Sequence, residues 1–127
     1  MLTEQISLSV TLSDPSGNVN IAQSKVSTDN TEGLVMTDDT YSLVHSGADY
    51  IEVTKGDITT LHSVTVIVTS KPDTFAGISV SFGASAGTEA FKITDVFTFK
   101  GLLATKVWLK NLDTAGDAVV TVIQAGI

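Results

Sequence analysis

Alternation of apolar and polar residues is the feature that most constrains how this chain folds. The clearest case is residues 6–12, ISLSVTL, where every second residue is aliphatic: Ile6, Leu8, Val10 and Leu12. In an extended chain those side chains share one face, so the pattern predicts a strand that is half-buried. Residues 58–69, ITTLHSVTVIVT, and 78–82, ISVSF, are β-rich in the same way, and no window of about 11 or more residues has a helical period.

Turn-forming clusters separate these segments at the spacing typical of sandwiches and barrels. Residues 14–18 (DPSGN), 37–40 (TDDT) and 70–73 (SKPD) are the clearest turns. Two hairpins are predicted: 41–45 with 50–54, and 105–112 with 118–125. We predict roughly eight to ten strands in an all-β fold, an antiparallel two-sheet sandwich of the jelly-roll or Greek-key type. The sandwich is expected to form one domain over residues 1–127, with residues 1–5 as a candidate N-terminal arm.

A carboxylate interrupts the aromatic segment 91–100, FKITDVFTFK. In a straight strand Asp95 would share a face with Phe91, Ile93, Phe97 and Phe99, and a buried unpaired carboxylate is costly. We therefore predict a bend at Thr94–Asp95 where the chain passes between sheets, with Asp95 reachable by solvent or bonded to backbone N–H groups.

The charge balance disfavours nucleic acid and anionic membranes as partners. The net charge is −7, and the 7 Lys and Arg residues are scattered along the chain. Cysteine is absent, which removes disulfides and thiol chemistry. The first ten residues, MLTEQISLSV, lack the features of a signal peptide, and no apolar run has the length of a membrane span.

Enzyme and cofactor motifs are missing as well. His45 and His62 stand in no metal-binding spacing, and the glycine-rich GASAG (83–87) lacks the GK[ST] of a phosphate loop. Carboxylates cluster at Asp38–Asp39 and at Asp113 with Asp117, but without EF-hand spacing. We expect no catalytic residue, no cofactor and no metal, and we interpret these aspartates as turn residues.

Trp108 leaves two interpretations open. In the segment 105–112, Val107 and Leu109 share one face, whereas Trp108 shares the other with Lys106, Lys110 and Leu112. If the second face is exposed, Trp108 marks a binding surface, for which Tyr41 and Tyr50 are further aromatic candidates. Otherwise Trp108 packs in the core. The mean hydropathy of +0.29 is high for an acidic chain of this size, which suggests a homo-oligomer, a larger assembly or both.

The C-terminal residues TKVWLKNLDT and AGDAVVTVIQAGI resemble the closing hairpin of small bacteriophage virion proteins. In size and composition the chain is similar to capsid decoration (cement) proteins of tailed phages. The resemblance implies a protein on the outer surface of the virion head, made in the host cytoplasm without a signal peptide. It would bind the major capsid protein as a trimer or dimer and stabilise the shell by contact area and multivalency.

Two alternatives accompany this hypothesis: a glycan-binding or fibre-tip module, and a tail or connector component. The residues expected at an interface are Met1, Leu2, Tyr41, Tyr50, Trp108 and Leu112.

Overall fold

The computed structural model describes residues 2–13, 15–17, 19–46, 49–87 and 89–127, with the side chains of 19–21 and 102–103 left aside. The chain divides into two compact units, Met1–Leu34 and Val35–Ile127. Each unit is described by itself below. That the whole chain acts as one domain stays a prediction. The first strand begins at Glu4, which lies inside the predicted arm 1–5.

The first unit is a two-stranded antiparallel hairpin. Strand β1 spans Glu4–Ser13 and β2 spans Val19–Asp29. Their register runs from Glu4 opposite Asp29 to Leu12 opposite Ile21, with an irregularity between Leu12 and Ser13. Gly17, in the predicted turn, has a φ of 86°, which glycine adopts without steric cost. Asp14 and Asn18 of that turn lie outside the described residues.

The second unit is a sandwich of two four-stranded sheets. Its strands are β3 (Val35–Leu43), β4 (Ile51–Glu52), β5 (Leu61–Ser70), β6 (Ile78–Phe82), β7 (Glu89–Ile93), β8 (Val96–Ala104), β9 (Val107–Asn111) and β10 (Ala118–Gly126). The first sheet has the order β3-β10-β5-β8 and the second the order β4-β9-β6-β7. Every pairing is antiparallel, so the predicted all-β class and antiparallel two-sheet sandwich are confirmed, whereas the jelly-roll or Greek-key type stays a prediction.

The core lies between the two sheets and is built from alternate residues of the central strands. In β5 these are Val64, Val66 and Val68, and in β10 they are Val120 and Val122, all buried. The second sheet supplies Ile78, Val80 and Phe82 from β6 and Val107 and Leu109 from β9. Strand β6 is buried along its whole length, because its serines are covered on the outer side of the sheet.

The bend predicted at Thr94–Asp95 is confirmed. Residues 94–95 connect β7, at the edge of the second sheet, with β8, at the edge of the first. The side chain of Asp95 is exposed, and its backbone carbonyl accepts a hydrogen bond from Val68 N at 2.8 Å. The aromatic rings on either side of the bend pack together with Phe82 at centroid distances of 5.8–6.2 Å, which closes this edge of the sandwich.

Three local predictions were wrong. Residues 37–40, TDDT, are not a turn but part of β3. The segments 41–45 and 50–54 do not form a hairpin, because β3 and β4 belong to different sheets. The same holds for the segments 105–112 and 118–125, since β9 and β10 also lie in different sheets. In both places consecutive strands belong to different sheets instead of pairing with each other.

Candidate interaction surfaces

The aliphatic side of β1, which we call the hairpin face, consists of Ile6, Leu8, Val10 and Leu12. Leu8, Val10 and Leu12 are 63%, 46% and 54% exposed, whereas Ile6 is half-buried. The alternation predicted for β1 is therefore present, but the expected burial of this face is wrong. Across the hairpin, Leu8 lies opposite Lys25 and Val10 lies opposite Gln23, so β2 adds polar groups beside the aliphatic row.

The hairpin face matters because a two-stranded hairpin is only marginally stable in water. Side chains exposed to this extent gain little from the hydrophobic effect. A continuous aliphatic row on an exposed strand is the kind of surface that marks a protein–protein contact. The residues predicted at an interface omitted this row. Its signal in the sequence is the absence of any charged residue from Gln5 to Ser13.

A second surface, the outer aromatic face, lies on the solvent side of the second sheet around Tyr50 and Trp108. In β9 the side chains of Val107 and Leu109 are fully buried, so Trp108 and Lys110 point outward. Trp108 therefore does not pack in the core but is half-buried on the outside of the sheet, and its role in binding stays a prediction. Its indole N–H donates to the carbonyl of Gly83 at 3.0 Å.

Lysines accompany both aromatic rings of this face. Lys106 Nζ lies 5.6 Å from the ring centroid of Trp108, and Lys110 Nζ lies 5.6 Å from that of Tyr50. Lys106 also lies 3.4 Å from a carboxylate oxygen of Glu52. These distances are typical of cation–π contacts, which hold the aromatic rings and the lysines together at the surface.

Two buried serines support the same face from β6. The Tyr50 hydroxyl and Ser79 Oγ are hydrogen-bonded at 2.8 Å. Ser81 Oγ accepts from the backbone N–H of Gly87 at 2.8 Å, which fastens the loop after β6 over the sheet. Because each serine has a partner, the outward side of β6 is covered without an unsatisfied hydroxyl.

The other residues predicted at an interface lie elsewhere. Tyr41 is on β3 and packs partly against the core, and its hydroxyl accepts from the backbone N–H of Thr54 at 2.9 Å. It therefore does not join Tyr50 and Trp108. Leu112 is exposed just after β9, and Leu2 is exposed just before β1. Met1 lies outside the described residues.

Asp113 and Asn111 form a hydrogen-bonded hub where β9 passes to β10. The Asp113 carboxylate accepts from the backbone N–H groups of Ala115, Gly116 and Ala76 at 2.9–3.0 Å. These hydrogen bonds, from Ala115 first, lower the pKa of Asp113 because they stabilise its charged form. Asn111 donates to the carbonyls of Leu43 and Gly116 and accepts from Asp113 N.

The other aspartates of the two predicted clusters are hydrogen-bonded or point apart. Asp117 accepts from His45 Nδ1 at 2.6 Å and from His45 N at 3.1 Å, and the side-chain bond to His45 is the main cause of its lowered pKa. Asp38 and Asp39 are consecutive residues of β3 and therefore point to opposite faces. The contacts of Asp113 and Asp117 therefore have a structural role, since they tie loops together.

Within the described ranges, no group of three or more His, Asp or Glu side chains is arranged to hold a metal ion. The part of the chain that the structure describes contains no helix long and apolar enough to cross a membrane. No family model, curated protein or solved structure matches the chain.

Proposed function

We propose that this chain is a structural protein that works by binding other subunits, and that it decorates the outside of a phage head by bridging major capsid proteins. The observation that carries the proposal is the exposed hairpin face. A protein that acts by adhesion needs an accessible apolar surface of this kind, and the aliphatic row itself carries no charge to desolvate when the contact forms. The closing hairpin on which the terminal resemblance rested is not formed, so the support for the head surface comes from the similarity in size and composition to decoration proteins and from the acidic charge balance, which disfavours DNA contact.

The sandwich would give such a protein its rigidity. Its core is filled by alternate side chains of both sheets, and its loops are fastened by the hub at Asn111 and Asp113. The energy of attachment would come from many modest contacts repeated over a symmetric shell. No chemical step is required.

The test is cosedimentation of the full chain with expanded, undecorated phage heads. If the gene beside that of this chain encodes a major capsid protein, it identifies the heads to use. We expect the wild-type chain to cosediment and the double variant Leu8→Lys/Val10→Lys to remain in the supernatant. Val26→Lys is the matched control, because Val26 is also an exposed aliphatic residue but lies on the opposite face of the hairpin. Heads that retain no wild-type protein, or that retain the double variant equally well, would count against the proposal.

A second candidate function is glycan binding, and the outer aromatic face is the observation that favours it. Tyr50 and Trp108 share this face with lysines and hydroxyl groups, and aromatic rings beside polar groups suit a sugar, which has one apolar face and many hydroxyls. A glycan array with Trp108→Ala tests it. A signal that is lost in Trp108→Ala and retained in Tyr41→Phe favours this function, whereas no signal with the wild-type chain counts against it.

A further inference from the structure

Charge is distributed differently between strands at the edges of sheets and strands inside them. Among the described strands, β5, β6 and β10 are each paired on both sides and contain no Asp, Glu, Lys or Arg. The central strand β9 has one such residue, Lys110. The edge strands β2, β3, β4, β7 and β8 all carry charge, for example Lys25, Asp38, Glu52, Lys92 and Lys100. Charged side chains on edge strands oppose pairing with a further strand.

Strand β1 breaks this rule. It is paired on one side only, with β2, yet residues Gln5–Ser13 carry no charge, no proline and no glycine. Glu4, its one charged residue, is the first residue of the strand and is buried. By composition β1 is an interior strand. By its position in the described chain it is an edge, where an uncharged strand of this length promotes pairing.

We propose that β1 pairs antiparallel with β1 of a second copy of this chain, about a two-fold axis at Ser9. This register places Ser9 opposite Ser9, Leu8 opposite Val10 and Ile6 opposite Leu12 of the second copy. Aliphatic residues then meet aliphatic residues and hydroxyl residues meet hydroxyl residues, as an isologous contact requires. The product is a four-stranded sheet with the order β2-β1-β1-β2.

The self-complementary and neutral sequence of β1 is the reason for choosing a second copy as the occupant. Each copy carries a net charge of −7, so two copies repel, and a contact between them has to be made by neutral surfaces. Pairing about a two-fold axis also brings a residue at the axis against itself, and any charge there would face its own sign. Residues Gln5–Ser13, four on each side of Ser9, are neutral, so this part of β1 meets the condition. The pairing doubles the hairpin face, which under the proposed function is the surface that meets the shell.

Sedimentation velocity of the full chain over a range of concentrations tests the pairing. We expect a monomer–dimer equilibrium for the wild type and monomers for both Ser9→Lys and Ser9→Asp, because like charges directly opposite each other in adjacent strands repel. An equimolar mixture of Ser9→Lys and Ser9→Asp should form dimers again, which also shows that both variants are folded. Ser24→Lys is the control: Ser24 lies opposite Ser9 within the hairpin and is equally exposed, but it is on β2, so this variant should dimerise like the wild type.

Cross-linking checks the register. The chain has no cysteine, so Ser9→Cys introduces a single thiol, which we expect to form an intermolecular disulfide under mild oxidation, whereas Ser24→Cys should not. A wild-type chain that is monomeric at all concentrations overturns the inference, as does a dimer that neither Ser9 variant disrupts. These results are separate from those for the proposed function. A monomer that binds heads refutes only the pairing, and a dimer that binds no heads refutes only the decorating role.

Discussion

Two segments of the chain have nearly the same sequence and opposite surroundings: ISLSV at residues 6–10 and ISVSF at residues 78–82. In β6 all five residues are buried, the aliphatic ones against the opposite sheet and the serines under Tyr50 and the loop that follows the strand. In β1, Leu8 and Val10 are about half exposed or more, and the serines are exposed. Alternation therefore specifies a strand, whereas its burial depends on which other segments of the molecule pack against it.

The comparison also shows that the two uncharged segments differ in the number of strands with which they pair. Inside the sandwich, such strands have partners on both sides. In the hairpin, β1 has the same composition with one side unpaired in the described structure. If an uncharged strand in the hairpin is also paired on both sides, the second partner of β1 is another molecule.

The largest difference in unfolding free energy is expected between alanine substitutions of Ile6 and Ile78, the first residues of ISLSV and ISVSF. Ile78→Ala removes a fully buried side chain from the core and should lower the free energy of unfolding by about 2–5 kcal/mol. Ile6→Ala should change the stability of the sandwich by no more than about 0.5 kcal/mol. Urea unfolding monitored by the fluorescence of Trp108, the one tryptophan, measures both. Equal losses of unfolding free energy in the two variants would contradict the conclusion that β6 is buried and β1 is exposed.

A smaller loss is expected at the hub that fastens the sandwich loops. Asn111→Ala leaves the carbonyls of Leu43 and Gly116 and the N–H of Asp113 without their partner, which should cost about 1–3 kcal/mol in unfolding free energy. Leu112→Ala, at the exposed neighbouring position, serves as the control and should be nearly neutral. The same urea titration applies, and an Asn111→Ala variant as stable as Leu112→Ala would show that the hub adds nothing.

A smaller difference in stability is expected between alanine substitutions of Ser7 and Ser79, the second residues of ISLSV and ISVSF. Ser79→Ala removes the hydrogen bond to the Tyr50 hydroxyl and should cost about 0.5–1.5 kcal/mol, whereas Ser7→Ala removes an exposed hydroxyl and should cost nothing measurable. Thermal unfolding of the two variants beside the wild type measures the difference. A Ser7→Ala variant that is the less stable of the two would mean that the outer side of β1 is covered already in the monomer.

The smallest effect on the unfolding free energy is expected from the titration of Asp113. This effect appears only at acidic pH. Its pKa in the folded chain lies below the ordinary value of 3.8, so its contribution to stability is complete above that pH and is lost as the pH falls toward the lowered pKa. Unfolding free energies measured between about pH 5 and pH 2 should therefore fall less steeply for Asp113→Asn than for the wild type. Equal slopes would show that its hydrogen bonds to the backbone do not discriminate between the charged and neutral carboxyl groups.

The sequence predicted the local features of the fold better than its connections. The all-β class follows from alternation, and the bend at Thr94–Asp95 follows from the cost of burying a carboxylate. The two predicted hairpins were wrong because short turns serve equally well to join neighbouring strands and to cross between sheets. Trp108 and Tyr50 were expected to share a surface and do so, but Tyr41 does not, because the packing of one sheet on the other is not visible in a local pattern.

Hydrogen exchange of the β1 amides at low and high protein concentration tests the central claim most directly. In β1 alternate amides face β2 and the free edge, so in a monomer only every second amide of Gln5–Ser13 is expected to be protected. We predict that the other amides exchange rapidly in dilute solution and become protected at high concentration, as those of a strand with two partners do. Edge amides that exchange at the same rate at all concentrations would contradict the account.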